Sequence, residues 1–205
     1  MAPLDQQIVE DSLKLLGELL AARKERLIHL VVSGGAALLA AEIVSRTTYD
    51  GDVIAMRGEV DGDILDAHPL PEFLKECVRE VAEEKRLRAN WLNASTAMLM
   101  MNLRRFPADF LTDLVDRSYG DWLRVSFIGR AGQIYLKFYA AVARNEARDL
   151  ADLKALAPTE TEVDRAARWL VDEEVVSKAE VPRFARIVSE LGHYGLISRI
   201  EALAE

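Results

Sequence analysis

The chain has 205 residues, half of them hydrophobic, with 34 acidic side chains against 26 Lys and Arg and a formal net charge of −8. That length supports one real core with a small helical annex, and the acidic balance argues against broad DNA binding, which relies on many Lys/Arg–phosphate contacts. Cys77 is the single cysteine, so no intramolecular disulfide can form.

The N-terminal segment MAPLDQQIVEDSLK lacks the basic region and apolar core of a signal peptide. No apolar run reaches the roughly 18 residues needed to span a bilayer, so the expectation is a cytoplasmic protein without a membrane partner. Residues 5–24 predict an amphipathic helix, with Ile8, Leu13, Leu16, Leu19 and Leu20 on one side and Asp5 as N-cap. Leu27 to Val32 is a short apolar, β-branched run, the pattern of a buried central strand. His29 falls inside it and is expected to be a packed residue, not a metal ligand. Ser33-Gly34-Gly35 then makes a turn, a helix of small residues is expected over 35–45, and a second strand over 51–56.

Between the second strand and the next helix the chain is acidic and turn-rich. It carries a second Asp-x-Asp, Asp61 and Asp63, which reads as a loop with no glycine turn feeding it. A helix is expected over 70–88, burying Phe73, Leu74, Cys77, Val78 and Val81. Met98, Met100 and Met101 read as core filler. Residues 121–129 read as a third strand, from the imperfect alternation of Trp122, Leu123, Val125, Phe127 and Ile128. From Gln133 onward the pattern is helical: 133–145, 147–156, 160–173, 180–192 and 196–204. The expectation is an α/β (α+β) protein, with a small mixed core over 1–130 and a helical lobe over 131–205.

The most informative feature is Asp50 and Asp52, which begin fifteen residues after Gly35. On a strand, residues i and i+2 share a face, so both carboxylates are expected to project to one site. Mg²⁺ usually takes one or two protein carboxylates and fills its remaining positions with water and substrate phosphates. Glycine at 34 and 35 lets backbone N–H groups approach an anion closely, with the Ser33 hydroxyl beside them. The bland alternative is a tightly packed strand–turn–helix with two solvated aspartates.

The order strand, Gly-Gly turn, helix, Asp-x-Asp strand resembles the nucleotidyltransferase superfamily. The segments SGGAALL (33–39), RTTYDGDV (46–53), WLN (91–93) and IYLKFYAAVARNEARDLADLKAL (134–156) resemble one bacterial branch, related to toxins of abortive-infection and toxin–antitoxin systems. The resemblance covers about residues 27 to 170. It implies a sheet of the nucleotidyltransferase type flanked by helices, with Asp50 and Asp52 as catalytic metal ligands for Mg²⁺ or Mn²⁺. It also implies that Ser33, Gly34, Gly35 and Lys137 bind the nucleotide. Two departures stand out: Gly51 occupies a position where the family usually carries an aliphatic residue, and the third strand offers Arg124 and Ser126 but no third carboxylate, with Asp121 only preceding it.

The expected activity is transfer of a nucleoside monophosphate from an NTP to an RNA end or a protein hydroxyl, in a system that includes a cognate partner protein. The alternative is a silent member that keeps the fold and acts as a binding or regulatory partner. Lys85, Arg86, Arg88, Arg104 and Arg105 form the basic run available to an RNA acceptor. Asp149 and Asp152 read as organisers of the helical lobe, with Arg148 and Asp152 spaced i, i+4 for a salt bridge.

Overall fold

Ile28–Ser33 (β1) lies mid-sheet because it is apolar on both faces: Ile28, Leu30 and Val32 join the main core, and Val31 on the opposite face is also fully buried. The computed structural model describes residues 1–58, 64–97 and 107–204. Asp61, Asp63, Met98, Met100, Met101, Arg104 and Arg105 lie outside the described residues.

Among the described residues the protein is mixed α/β, and six strands form one mixed sheet. In chain order they are β1, β2 (Gly51–Arg57), β3 (Ile64–Leu65), β4 (Leu92–Asn93), β5 (Val115–Ser118) and β6 (Leu123–Phe127). The sheet order is β3-β2-β1-β6-β5, and β4 also pairs with β2. β1 is antiparallel to β2 and parallel to β6, and β5 and β6 form an antiparallel hairpin. Three helices, α1 (Gln6–Ala22), α2 (Gly34–Ala40) and α3 (Glu72–Lys85), belong to this unit. Their apolar residues share a core with Ile28, Leu30, Val32, Val53, Leu123, Val125 and Phe127. That set defines the helix-bearing face of the sheet. By the period of two, His29, Ser33, Asp52, Arg57, Asp116, Arg124 and Ser126 belong to the other face. The register shift at Val31/Val32 places one extra β2 residue there, which keeps Asp52 and Arg57 on the same side.

Three differences from the sequence expectations have local causes. α2 stops at Ala40, not at 45. The N–H of Ile43 reaches back to Leu38 and that of Glu42 to Leu39, with Glu42 left-handed at φ 58°, a C-cap that closes the helix. β5 carries too weak an apolar signal for the alternation to reveal. Val115 and Arg117 face the helices while Asp116 and Ser118 do not, so four mostly polar residues depend on the hairpin with β6. β3 and β4 are two residues each and exist only as partners of β2.

The chain divides into two compact units: the sheet unit comprises the described residues of Met1–Asn102 and Leu114–Gly129, and the helical unit those of Leu103–Asp113 and Arg130–Glu205. The helical unit contains α4 (Arg130–Arg144), α5 (Ala147–Ala155), α6 (Glu160–Asp172), α7 (Val181–Glu190) and α8 (Ile197–Glu201). α6 begins with a full capping box, in which Thr159 and Glu162 satisfy each other's backbone N–H groups. Phe110 packs with Tyr135 and Trp169, whose rings lie 5.4 Å apart in edge-on contact. The Tyr135 hydroxyl donates to Asp109 at 2.8 Å. Residues 107–113 therefore belong to the helical unit, although a boundary at 130 leaves them with the sheet. No helix among the described residues is long and apolar enough to cross a membrane.

Candidate active site

Ser33 ends β1, and Gly34 opens α2 at φ 73°, a left-handed backbone that L side chains rarely adopt. Across the β1–β2 ladder Ser33 pairs with Asp52. A β-carbon on Gly34 would fall on Oδ2 of Asp52, so the carboxylate occupies the space that glycine leaves open. Ser33 Oγ donates to the Asp52 carbonyl at 3.4 Å. The other carboxylate oxygen, Oδ1, accepts from Thr96 Oγ1 at 2.9 Å. Asp52 is therefore held by four neighbours: its backbone by β1 and β4, and its carboxylate by Gly34 and Thr96.

Gly35 is fixed by a parallel close approach. A β-carbon there would lie 2.6 Å from Thr48 Oγ1 and 2.7 Å from Thr48 Cβ. Thr48 is buried, and its backbone makes two bonds with Leu4, at 2.7 and 2.9 Å, that tie the segment down. Its hydroxyl lies 3.5 Å from Asp50 Oδ1 and 3.4 Å from the Asp50 carbonyl. Thus each glycine of the pair faces a side chain that is, or touches, one of the two aspartates. Gly51, between them, faces the other way: its missing side chain would meet Leu92 Cδ1 at 3.2 Å and Ala36 Cβ at 3.4 Å. An aliphatic side chain there would need Leu92 of β4 and Ala36 of α2 to give by a few tenths of an ångström.

Tyr49 precedes the pair and is 41% exposed. The Arg88 guanidinium stacks on it, 4.1 Å from the ring centroid. Arg46 donates to the Thr47 carbonyl at 3.0 Å. Asp121 lies at the far end of the unit. β6 runs parallel to β1 with Leu123 beside Ile28 and Phe127 beside Val32, so Asp121 precedes the end of β6 remote from Asp52. Among the described residues no three His, Cys, Asp or Glu side chains cluster as a metal site. Mg²⁺ usually takes one or two protein carboxylates, with water and substrate phosphates completing the shell.

Lys137 sits in the helical unit. Its Nζ lies 2.7 Å from Asp152 Oδ2 and 3.4 Å from Asp149 Oδ1, and all three side chains are over nine-tenths buried. Arg144 Nε approaches Asp149 Oδ2 at 3.7 Å, an ion pair by distance but too long for a hydrogen bond. The two carboxylates read as organisers hold α4 against α5. The Lys137 ammonium is committed to them, and reaching a triphosphate would mean leaving two buried acids behind.

Sequence reasoning found the glycines and aspartates but not Thr48 or Thr96, the hydroxyls that fix them. Threonine carries no spacing signal, and Thr96 meets Asp52 only through the fold. Comparison with protein-family models, with curated proteins and with solved structures gave no match.

Proposed function

We propose that the chain is a Mg²⁺-dependent nucleotidyltransferase that moves a nucleoside monophosphate from an NTP to an RNA end or a protein hydroxyl. The observation that carries this reading is the seating of the Asp52 carboxylate over Gly34, with Asp50 two residues earlier and joined through Thr48 to Gly35. Asp50 and Asp52 would hold the cation, Mg²⁺ or Mn²⁺, which would supply positive charge against the negative charge that develops on the phosphate oxygens. The chain's own residues do the positioning. Thr96 and Gly34 hold one Asp52 rotamer before substrate arrives. The acceptor hydroxyl gives its proton to solvent as its oxygen bonds to the α-phosphorus, the bond from that phosphorus to the bridging oxygen breaks, and pyrophosphate leaves with the electron pair.

Incubation of the chain with each labelled NTP, Mg²⁺ or Mn²⁺ and cell extract should label an RNA or protein band. Asp50→Ala/Asp52→Ala should abolish the label, and its persistence in that variant would sink the assignment. A second reading is a silent member of the same fold acting as a regulatory half of a toxin–antitoxin pair. It is favoured by the lack of a third clustered carboxylate among the described residues. Calorimetry with ATP, GTP, CTP and UTP separates the two: metal-dependent binding supports the enzyme, and no binding at millimolar nucleotide supports the silent member.

A further inference from the structure

The sheet face turned away from α1, α2 and α3 carries a cationic row across three adjacent strands. His29 on β1 pairs in register with Arg124 on β6, and Arg124 in turn pairs with Ser118 on β5. On the other side, Leu30 pairs with Met56, which brings Arg57 of β2 opposite His29 one step along the antiparallel ladder. A charge on His29 would lie between the two arginines, and like charges on neighbouring strands repel. Arg57 and Arg124 make no ion pair among the described residues, and the Arg57 Nε is buried without a hydrogen-bond partner. A buried donor left unmade is costly, and an arginine with such a donor on an otherwise acidic protein asks for an anion.

The row lines an open cleft of about 770 Å³, a size that accepts a nucleotide-sized group. Arg26, Arg117, Ser118 and Asp116 also line it. Arg117 is spent on Glu10 and the Ala40 carbonyl, and Arg26 lies over the Phe73 ring. Asp116, the one carboxylate among these lining residues, accepts from Ser126 Oγ at 2.5 Å, and Ser126 Oγ lies 2.7 Å from His29 Nε2. An ionised carboxylate only accepts, so the Ser126 proton points to Asp116 and Ser126 must accept from His29 Nε2–H. The neutral imidazole therefore carries its proton on Nε2, and Nδ1 is the position that gains one. Burial, then Arg57, with a smaller push from Arg124, holds the His29 pKa below its ordinary value, against a raising pull from Asp116.

We propose that Arg57, His29 and Arg124 form a binding site for a phosphoryl group in this cleft. Two guanidiniums flanking a protonatable imidazole match the several anionic oxygens of a phosphoryl group better than a single carboxylate, and guanidinium binds phosphate through paired N–H donors. Bound phosphate replaces the repulsion along the row with attraction and favours the His29 cation, so binding takes up a proton at Nδ1. The site shares its sheet face with Ser33 and Asp52 but lies at the other end of β1, about 13 Å away at 3.3 Å per strand residue. It uses neither aspartate, so it stands or falls separately from the transferase reading. Free phosphate and the phosphodiester backbone of a nucleic-acid strand share the required chemistry.

The test is an NMR titration of the full chain in EDTA at fixed ionic strength, following the three histidine side chains, with His29→Gln to assign the His29 signals. The probes are inorganic phosphate, a short oligouridylate and, as carboxylate control, acetate. Phosphate or oligouridylate should shift the His29 signals and raise the pH midpoint of that residue, and acetate should not. Saturation by oligouridylate at far lower concentration than by phosphate assigns the site to a strand, and comparable saturation assigns it to the free anion. Arg57→Met/Arg124→Met should weaken the effect by about tenfold or more, as expected for two charge-assisted bonds, while Arg57→Lys/Arg124→Lys should recover part of it. Asp50→Ala/Asp52→Ala should bind as the parent does. His29 signals that stay still to tens of millimolar of both phosphate probes, or a double methionine variant that binds unchanged, would overturn the proposal.

Discussion

Asp52 Oδ2 occupies the space that a β-carbon on Gly34 would fill, and Thr96 Oγ1 holds the other oxygen of the same carboxylate at 2.9 Å. One missing side chain and one hydroxyl thus fix the position of this single acid.

Gly34→Ala should be damaging twice over. It places a β-carbon on the Asp52 carboxylate and forces alanine to φ 73°. The strain costs on the order of 1–3 kcal/mol, and the displaced carboxylate should remove Mg²⁺-dependent nucleotide binding. Urea unfolding together with calorimetry checks both effects. A variant that binds nucleotide like the parent would separate the glycine from the site.

Thr96→Val keeps the shape of the side chain and removes the donor to Asp52. Stability should fall by only about 0.5–1.5 kcal/mol, the net worth of one hydrogen bond, while Mg²⁺ affinity drops because Asp52 loses its fixed rotamer. Thr96→Ser should restore the affinity. A metal titration of the three proteins is the measurement, and equal affinities would show that Thr96 does not orient the carboxylate.

Lys137→Met leaves Asp149 and Asp152 buried without their cation. Removing one partner of a buried pair costs about 3–5 kcal/mol, and denaturant unfolding should show a loss of that order. Adding Asp149→Asn and Asp152→Asn to the variant should recover much of it, because no uncompensated charge then remains. If Lys137→Met is instead neutral for stability and abolishes nucleotide binding, the lysine serves a triphosphate and not its own unit.

Acid should loosen the start of α6. Arg130, joined by the backbone and side chain of Thr159, holds the Glu162 carboxyl down to a pKa of about 2 from an ordinary 4.5. A depressed folded pKa gives stability that is present above pH 4.5 and is lost as pH falls through the window down to about 2. Glu162→Gln should be less stable than the parent at neutral pH and should show a flatter decline across that window. Thermal melts from pH 6 to pH 2 provide the comparison.

The sequence carried the order of the elements because that information is local. Periodicity marks α1, α3 and the helices from α4 onward, a β-branched run marks β1, and paired glycines before Asp50 and Asp52 mark the turn and its acids. The side of the sheet that Asp52 and His29 share was not legible, since it depends on the pairing of Ser33 with Asp52 and on the register shift in the β1–β2 ladder. The short strands β3, β4 and β5 were not legible: two to four residues hold no pattern, and the hydrogen bonds that make them strands come from β2 and β6. The same limit applies to the contacts that give the site its shape. Thr96 reaches Asp52 from 44 residues away, and Ser126 joins His29 across 97. The commitment of Lys137 to Asp149 and Asp152 was hidden for a different reason. On a helix the spacing reveals i, i+4 partners such as Arg148 and Asp152, but Lys137 lies on the neighbouring helix and meets both acids only through the packing of α4 on α5. Local sequence dictates which residues can make a site, and strand register and burial decide which of them meet.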